Sequence, residues 1–234
     1  MKILGVIPAR YNSKRFPGKP LVDILGLSMI QRVYKQCLKC ELLKDIIVAT
    51  DNIKVYNHVK QFNGNVIMSS FSHSNGTERC NEIVKKTKEK YDVIINIQGD
   101  QPYIHPRQIN ELAKIFSNKK VQIGTLAKKI TNSADLINKN IVKVLFSKED
   151  EALNFCRKTS NKEYMFKHIG IYGYRSEIIN KICNLKPTKR EKEEELEQLR
   201  WLENKYKIHI CTTEYESISV DSPEDIIKIK EEMI

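Results

Sequence analysis

Short runs rich in β-branched residues alternate along this chain with longer segments whose apolar residues recur at helical spacing. A short apolar run bounded by turn signals reads as a strand buried on both faces, and a longer periodic segment reads as an amphipathic helix. Strands are predicted over Ile3 to Ile7, Ile46 to Ala49, Val66 to Met68, Val93 to Ile97, Ile123 to Ala127, Ile141 to Leu145, His168 to Tyr174 and Ile208 to Thr212. Helices are predicted over Met29 to Cys40, Ile53 to Phe62, Thr77 to Lys88, Arg107 to Phe116, Glu177 to Cys183, Glu193 to Asn204 and Pro223 to Met233. The last has a clear start, with Ser222 as N-cap, Pro223 at the first helical position and acids in the first turn. This alternation is that of an α/β fold, a parallel sheet covered by helices. There is no internal repeat, low-complexity stretch or linker, so residues 1–234 are expected to form one domain. Ligands of open α/β sheets bind beyond the carboxyl ends of the strands. Four unusual segments stand at such places: Pro8 to Pro20, Ser74 to Arg79, Gln98 to Pro102, and Val220 to Asp225.

Composition narrows the classes. The 234 residues are 41% hydrophobic and 29% charged, ordinary for a globular protein rather than a disordered one. No apolar run approaches the roughly 20 residues that span a bilayer, and Met1 to Pro8 is too short for a secretory signal, so no membrane insertion and a cytoplasmic location are expected. The formal charge of +11 would suit nucleic acid. The lysines are scattered, however, and interrupted by acidic stretches such as Glu191 to Glu197, which favours a solvated surface and leaves a small polyanion as the compatible partner. Of six cysteines, only Cys37 and Cys40 form a Cys-x-x-Cys pair. They lie on one face of the first predicted helix, with no second pair to complete a zinc site, so they read as buried thiols in a reducing compartment.

The first loop runs Pro8-Ala9-Arg10-Tyr11-Asn12-Ser13-Lys14-Arg15-Phe16-Pro17-Gly18-Lys19-Pro20, with four basic side chains and three prolines. Exposed backbone N–H groups among fixed positive charges are what a triphosphate requires. The loop is neither a Walker A motif nor a Gly-x-Gly-x-x-Gly dinucleotide loop. Taken alone, Pro-Gly-Lys reads as a solvated turn. Ile-Pro-Ala-Arg followed by Ser-x-Arg-x-Pro-Gly-Lys-Pro-Leu resembles the signature of nucleotide-sugar pyrophosphorylases with a GT-A-like fold, most closely the CMP-Kdo (3-deoxy-manno-octulosonate) synthetases. The resemblance implies a mixed, mainly parallel sheet flanked by helices in a Rossmann-like nucleotidyltransferase fold. It also implies Arg10 and Lys19 as the catalytic grip on the triphosphate, with Ala9 beside them and Ser13, Lys14 and Arg15 facing nucleotide and sugar.

Further segments match that family in order. Ser74-Asn75-Gly76-Thr77-Glu78-Arg79 resembles its Ser-Gly-Thr-Glu-Arg segment beside the cytidine, implying Ser74, Gly76, Thr77 and Arg79 as nucleotide contacts. Read without the family, Thr77 is a helix cap. Gln98-Gly99-Asp100 ends a strand, and Asp221 follows the strand-like Ile218 to Val220. Both acids match the family's magnesium positions, and two carboxylates at one sheet edge suit an ion that takes few protein oxygens plus phosphates. Asp221 is otherwise a first-turn acid of the last helix. Gln98 and Asp100 are also implied at the nucleotide, and Gln101 stands where the family has Glu.

His168-Ile169-Gly170-Ile171-Tyr172-Gly173-Tyr174 and Leu196-Glu197-Gln198-Leu199-Arg200 resemble the sugar-facing strings, implying His168, Tyr172, Glu197 and Gln198, with Arg157, Arg15 and Gln98, as sugar contacts. Before that strand the family's Ser-Arg-x-x-Ile-Pro is replaced by Cys156-Arg157-Lys158-Thr159-Ser160-Asn161 and a shorter connection. The implied function is transfer of CMP from CTP to Kdo or a close relative for lipopolysaccharide or another surface glycan, by a homodimer with a sugar-binding and dimerisation subregion at about 128–205. Alternatives are 8-amino-Kdo, a sialic-acid-like acceptor, or a weakened nucleotide-binding paralogue.

Overall fold

A computed structural model describes residues 1–12, 16–159, 163 and 165–232. The chain divides into two compact units, Met1–Asn110 with Glu216–Ile234, and Glu111–Tyr215. The stretch expected to carry sugar binding, about 128–205, lies within the second.

The first unit is built on β1 (Ile3–Ala9), whose side chains are buried except at Pro8. It is central, with parallel neighbours on both sides, and this is why its sequence is a nearly unbroken apolar run. After it come a two-strand hairpin, β2 (Asp23–Ile24) and β3 (Leu27–Ser28), then α1 (Met29–Cys37), β4 (Asp45–Thr50), α2 (Ile53–Gln61), β5 (Val66–Met68), α3 (Gly76–Lys86), β6 (Val93–Asn96) and α4 (Pro106–Ile115). The strand order is β6-β1-β4-β5, parallel throughout. From β1 the chain steps outward to β4 and β5 and then returns to the other side of β1. Right-handed crossovers therefore put α1 and α2 on one face and α3 on the other. The gap beyond the carboxyl ends of β1 and β6 is the point where the direction of winding reverses, the usual ligand position of such sheets.

Local signals set the helix starts. Ser28 Oγ accepts from Gln31 N–H and Asn52 Oδ1 from Lys54 N–H, capping α1 and α2. The α1 helix stops at Cys37, so Cys40 lies beyond it rather than on its face; both thiols are nevertheless buried and unpaired by disulfides. Burial pushes the Cys40 thiol up to about 12, and Cys37 well above its ordinary value. The C-terminal helix Pro223–Glu232 returns to this unit, where Val220, Ile226 and Ile229 pack with Ile24 and Met29. Its entry is fastened by Asp225 Oδ2, which accepts from the N–H groups of Asp221 and Ser222 at 2.9 Å each. The expected strand at Ile218 to Val220 does not form. That segment is irregular, and Val220 N–H donates instead to the Asp100 carbonyl at 2.9 Å.

The second unit contains β7 (Ile123–Lys129), α5 (Ala134–Ile137), β8 (Lys143–Phe146), β9 (Ala152–Cys156), β10 (Phe166–Arg175), α6 (Ser176–Cys183), α7 (Lys189–Glu194), α8 (Glu197–Glu203) and β11 (Ile208–Thr212). Here β7 is parallel to β11 and antiparallel to β10, while β10, β8 and β9 pair antiparallel in turn. The mixed, mainly parallel sheet expected from the sequence is thus present. The single helix predicted over Glu193 to Asn204 is two helices. Glu195 adopts a left-handed conformation (φ 54°) and closes α7, Leu196 turns inward to burial, and α8 begins at Glu197. Across the break, Arg200 Nη2 bonds Glu191 Oε1 at 2.9 Å, locking the two helices together. Gly173 is small for a packing reason, because a Cβ there would strike the Phe116 ring. Among the described residues no helix is long and apolar enough to cross a membrane.

Candidate functional site

A cleft of about 450 Å³ lies in the first unit beyond the ends of β1 and β6. Its walls come from four segments: Pro8, Ala9, Arg10, Asn12 and Lys19 from the end of β1 and the loop that follows; Asn75, Gly76 and Arg79 at the start of α3; Gln98, Gly99 and Asp100 after β6; and Asp221 before the C-terminal helix. All four loops that the sequence marked therefore contribute.

The loop after β1 folds back on itself, with Gly18 in the left-handed region (φ 74°) and its N–H donating to the Tyr11 carbonyl at 2.8 Å. Only glycine takes that conformation without strain. It launches the turn Lys19–Leu21, which sends Lys19 inward. Lys19 Nζ lies 2.8 Å from Asp100 Oδ2 and donates to the Val220 carbonyl, also at 2.8 Å. One ammonium group thus ties together the loop after β1, the loop after β6 and the segment before Asp221. Arg10 is exposed, and its Nη1 makes a long contact of 3.4 Å to the Ser74 carbonyl. Gly99 has no room for a side chain, since a Cβ would fall 2.5 Å from the Pro8 carbonyl oxygen. The close approach of these two loops depends on it.

At the α3 entry the cap is Asn75, not Thr77. Asn75 Oδ1 accepts from Glu78 N–H at 2.8 Å, while Thr77 is inside the first turn and 1% exposed. The signal was present in the sequence as Asn followed three residues later by Glu. Glu78 in turn holds the Ser74 N–H and hydroxyl at 2.8 and 2.9 Å. Arg79 touches the cleft, but its guanidinium is fully buried, bonded to Ser69 Oγ, to the Ser70 carbonyl at 3.1 Å and to Asp51 Oδ2 at 3.0 Å. A buried guanidinium needs such partners to offset its desolvation, and here they anchor the helix start to the loops after β4 and β5.

Gln101 is 4% exposed and outside the cleft lining; its Nε2 meets Ser219 Oγ at 3.3 Å. Its Oε1 has no partner among the described residues. Asp100 and Asp221 both line the cleft. Among the described residues no three His, Cys, Asp or Glu side chains converge as a metal cage. Ser13, Lys14 and Arg15 lie outside the described residues.

The other expected positions belong to the second unit. Arg157 spends its guanidinium on the α7 terminus, with Nε donating to the Glu194 carbonyl at 2.9 Å. His168 Nε2 lies 2.9 Å from Thr125 Oγ1, and burial holds the imidazole down to about 3. Tyr172 is buried beside it, its ring stacked on Tyr174 and edge-on to Trp201. Burial, with the Glu197 carboxylate adding to it, pushes the Tyr172 phenol well above its ordinary range. Tyr172 Oη and Gln198 Nε2 are buried without a hydrogen-bond partner among the described residues. Glu197 sits 3.5 Å from Arg200.

Comparison with known proteins agrees with this geometry. Residues 4–208 match the cytidylyltransferase family model. The 3-deoxy-manno-octulosonate cytidylyltransferase of Parabacteroides distasonis is 46% identical, the alignment covering 97% of this chain and 96% of that protein. The enzyme of the same name from Fusobacterium nucleatum is 45% identical over 98% and 96%. A solved structure of CMP:2-keto-3-deoxy-manno-octonic acid synthetase complexed with CTP superimposes with a TM-score of 0.93 at 34% identity, covering 100% of this chain and 98% of that one.

Proposed function

This chain belongs to the cytidylyltransferase family, and from that premise we propose that it joins CTP to a 3-deoxy-ulosonic acid, Kdo or a close relative, giving the CMP-sugar and pyrophosphate. The observation that carries the reading is the cleft at the winding reversal, which Arg10, Lys19, Asp100 and Asp221 all line. The triphosphate lies along Arg10 and Lys19, the first loop supplying N–H groups and charge. The anomeric oxygen forms a bond to the α-phosphorus as the bond from that phosphorus to the bridging oxygen breaks, and the hydroxyl proton passes to solvent. Charge grows on the departing pyrophosphate, and Arg10 and Lys19 meet it there. No nucleophilic side chain is required, since positioning and electrostatics suffice for this chemistry.

The two aspartates that line the cleft supply only oxygens, a donor set that fits a hard cation completed by phosphates and water. Asp100 and Asp221 are the residues that would hold Mg²⁺, which would add positive charge at the phosphate oxygens. Ala9, Ser74, Gly76, Gln98 and the fixed α3 start are assigned to the nucleotide, with Arg79 acting through the loops it anchors.

Arg157, His168, Tyr172, Glu197 and Gln198 are assigned to the sugar acid. Support comes from Tyr172 Oη and Gln198 Nε2, which have no partner among the described residues, because each such atom costs about 1–3 kcal/mol when buried and is retained where a ligand completes it. The protein is further proposed to be a cytoplasmic homodimer serving surface-glycan synthesis; Ile137, Leu153 and Met165 are exposed apolar residues of the second unit available to a partner copy. Pyrophosphate release with CTP and Mg²⁺ against a panel of Kdo, 8-amino-Kdo and sialic acid tests the activity. Release with Kdo and little with sialic acid is expected, and no release with any ulosonic acid would overturn the reading.

A further inference from the structure

Strand β10 crosses β7 with a bulge. The register passes from Ile169 opposite Leu126 to Tyr172 opposite Thr125, so three steps along β10 match one step along β7. The bulge turns two carbonyls onto one atom: Thr125 Oγ1 lies 3.2 Å from the Ile169 oxygen and 2.7 Å from the Ile171 oxygen. The third neighbour of that hydroxyl is His168 Nε2 at 2.9 Å. Thr125 is 0% exposed, so water does not compete.

A hydroxyl has one proton, and carbonyl oxygens only accept. The proton must go to a carbonyl, since otherwise two sets of lone pairs would face each other at 2.7 Å. With the proton given to Ile171, Thr125 Oγ1 has only lone pairs left to face His168, and the ring nitrogen there must carry a hydrogen. We infer that Thr125 is a positioning residue that fixes His168 as the neutral Nε2–H tautomer, so that Nδ1 accepts a hydrogen bond from a hydroxyl of the acceptor sugar rather than meeting its carboxylate as a cation. The sugar half of this inference rests on the assignment of His168 proposed above.

The surroundings of the ring agree. It packs against Phe155 of β9 at 5.2 Å between centroids and against Tyr172 of its own strand at 5.3 Å, neither of which would stabilise an ion pair. Burial opposes the imidazolium, holding the group down to about 3. In a neutral ring one nitrogen donates and the other accepts, and the buried hydroxyl decides which. The same device explains a threonine at the centre of a strand: valine has the same shape but offers neither a donor to Ile171 nor an acceptor to His168.

Long-range ¹H–¹⁵N spectra of the histidines in the ligand-free protein read the tautomer directly. The His168 ring should show Nε2 protonated and Nδ1 bare, unchanged from pH 8 to pH 5. Thr125→Ser keeps the hydroxyl, and should keep both the spectrum and the KM for the acceptor sugar within about twofold. Thr125→Val should perturb the ring resonances and raise that KM on the order of tenfold, the effect of one lost hydrogen bond, with the KM for CTP unchanged. If Thr125→Val does not fold, the unsubstituted protein and the serine variant still decide. A proton on Nδ1, titration of His168 between pH 5 and 8, or an unchanged acceptor KM in a folded valine variant would each overturn the inference. Failure of the functional reading would appear differently, as no turnover of any ulosonic acid by the unsubstituted protein; that would remove the sugar half while the spectrum still reports on the tautomer.

Discussion

Removing the Lys19 ammonium should tighten the binding of a bare divalent cation while nearly abolishing turnover. Its Nζ lies 2.8 Å from Asp100 Oδ2, with side-chain exposures of 14% and 29%. A cation entering at Asp100 must displace or tolerate that charge. Coulomb attraction at this separation is about 1.5 kcal/mol with water-like screening and about 6 kcal/mol at an effective dielectric of 20. Partial exposure argues for the lower end, and about 1.4 kcal/mol already corresponds to tenfold in affinity. Lys19→Met keeps most of the stem and removes the charge. Its nucleotide-free protein should bind Mn²⁺, titrated by paramagnetic resonance, about tenfold more tightly than the unsubstituted protein. Turnover should fall by a factor on the order of 10² or more, because the same charge is needed at the phosphates. The melting temperature should move by only a few degrees, since an ion pair of this kind contributes on the order of 1 kcal/mol net. Unchanged or weaker Mn²⁺ binding in a folded Lys19→Met protein would refute the claim that lysine and metal compete for Asp100.

Two other expectations need separate measurements. Asp100→Asn and Asp221→Asn should each raise the magnesium requirement, and the double variant should be little worse than either alone, because groups that hold one ion fail together; a normal magnesium titration with a lowered melting temperature for Asp221→Asn would reduce it to a helix-entry acid. Burial pushes Glu82 up, but the Lys86 ammonium, the Ser70 N–H and His73 outweigh it and hold the carboxyl at about 2. A depressed carboxyl stabilises the fold above its unfolded value and loses that contribution as pH falls from about 4.5 towards 2; Glu82→Gln should therefore melt lower at pH 6, with the gap closing at pH 3, and a pH-independent gap would count against the pairing.

The strands that read most clearly in the sequence are those buried on both faces. Ile3 to Ile7 has little but apolar residues because parallel neighbours and helices cover it, and periodicity needs no further information there. The β2–β3 hairpin was invisible because its turn uses Leu25 at φ 51° beside Gly26 at φ 79°, and leucine in that conformation carries no turn signal. Similarly, nothing in a run of glutamates announces that Glu195 turns left-handed, since the buried Arg200 bond that rewards the break comes from the far side of it.

At the cleft, the loops were legible because each follows a strand and carries unusual residues. The division of labour within them was not. Arg79 is implied as a nucleotide contact, and nothing in the sequence shows that Asp51, on another loop, bonds its guanidinium. Thr125 reads as an ordinary strand residue until a bulge on a different strand turns two carbonyls towards it.

The first unit is interrupted in sequence, and that interruption imposes an order of arrival during synthesis. Arg10, Lys19 and Asp100 all precede Glu111–Tyr215 in the chain, whereas Asp221 comes only after that whole stretch has been made. At about 5–20 residues per second the interval is on the order of 10 s. Throughout it Asp100 has Lys19 within its own stretch of chain to balance its charge, but Ile24 and Met29 lack the cover that Val220, Ile226 and Ile229 later give them. The nascent protein thus carries most of its cleft residues early and leaves Ile24 and Met29 without their later cover until the last helix emerges.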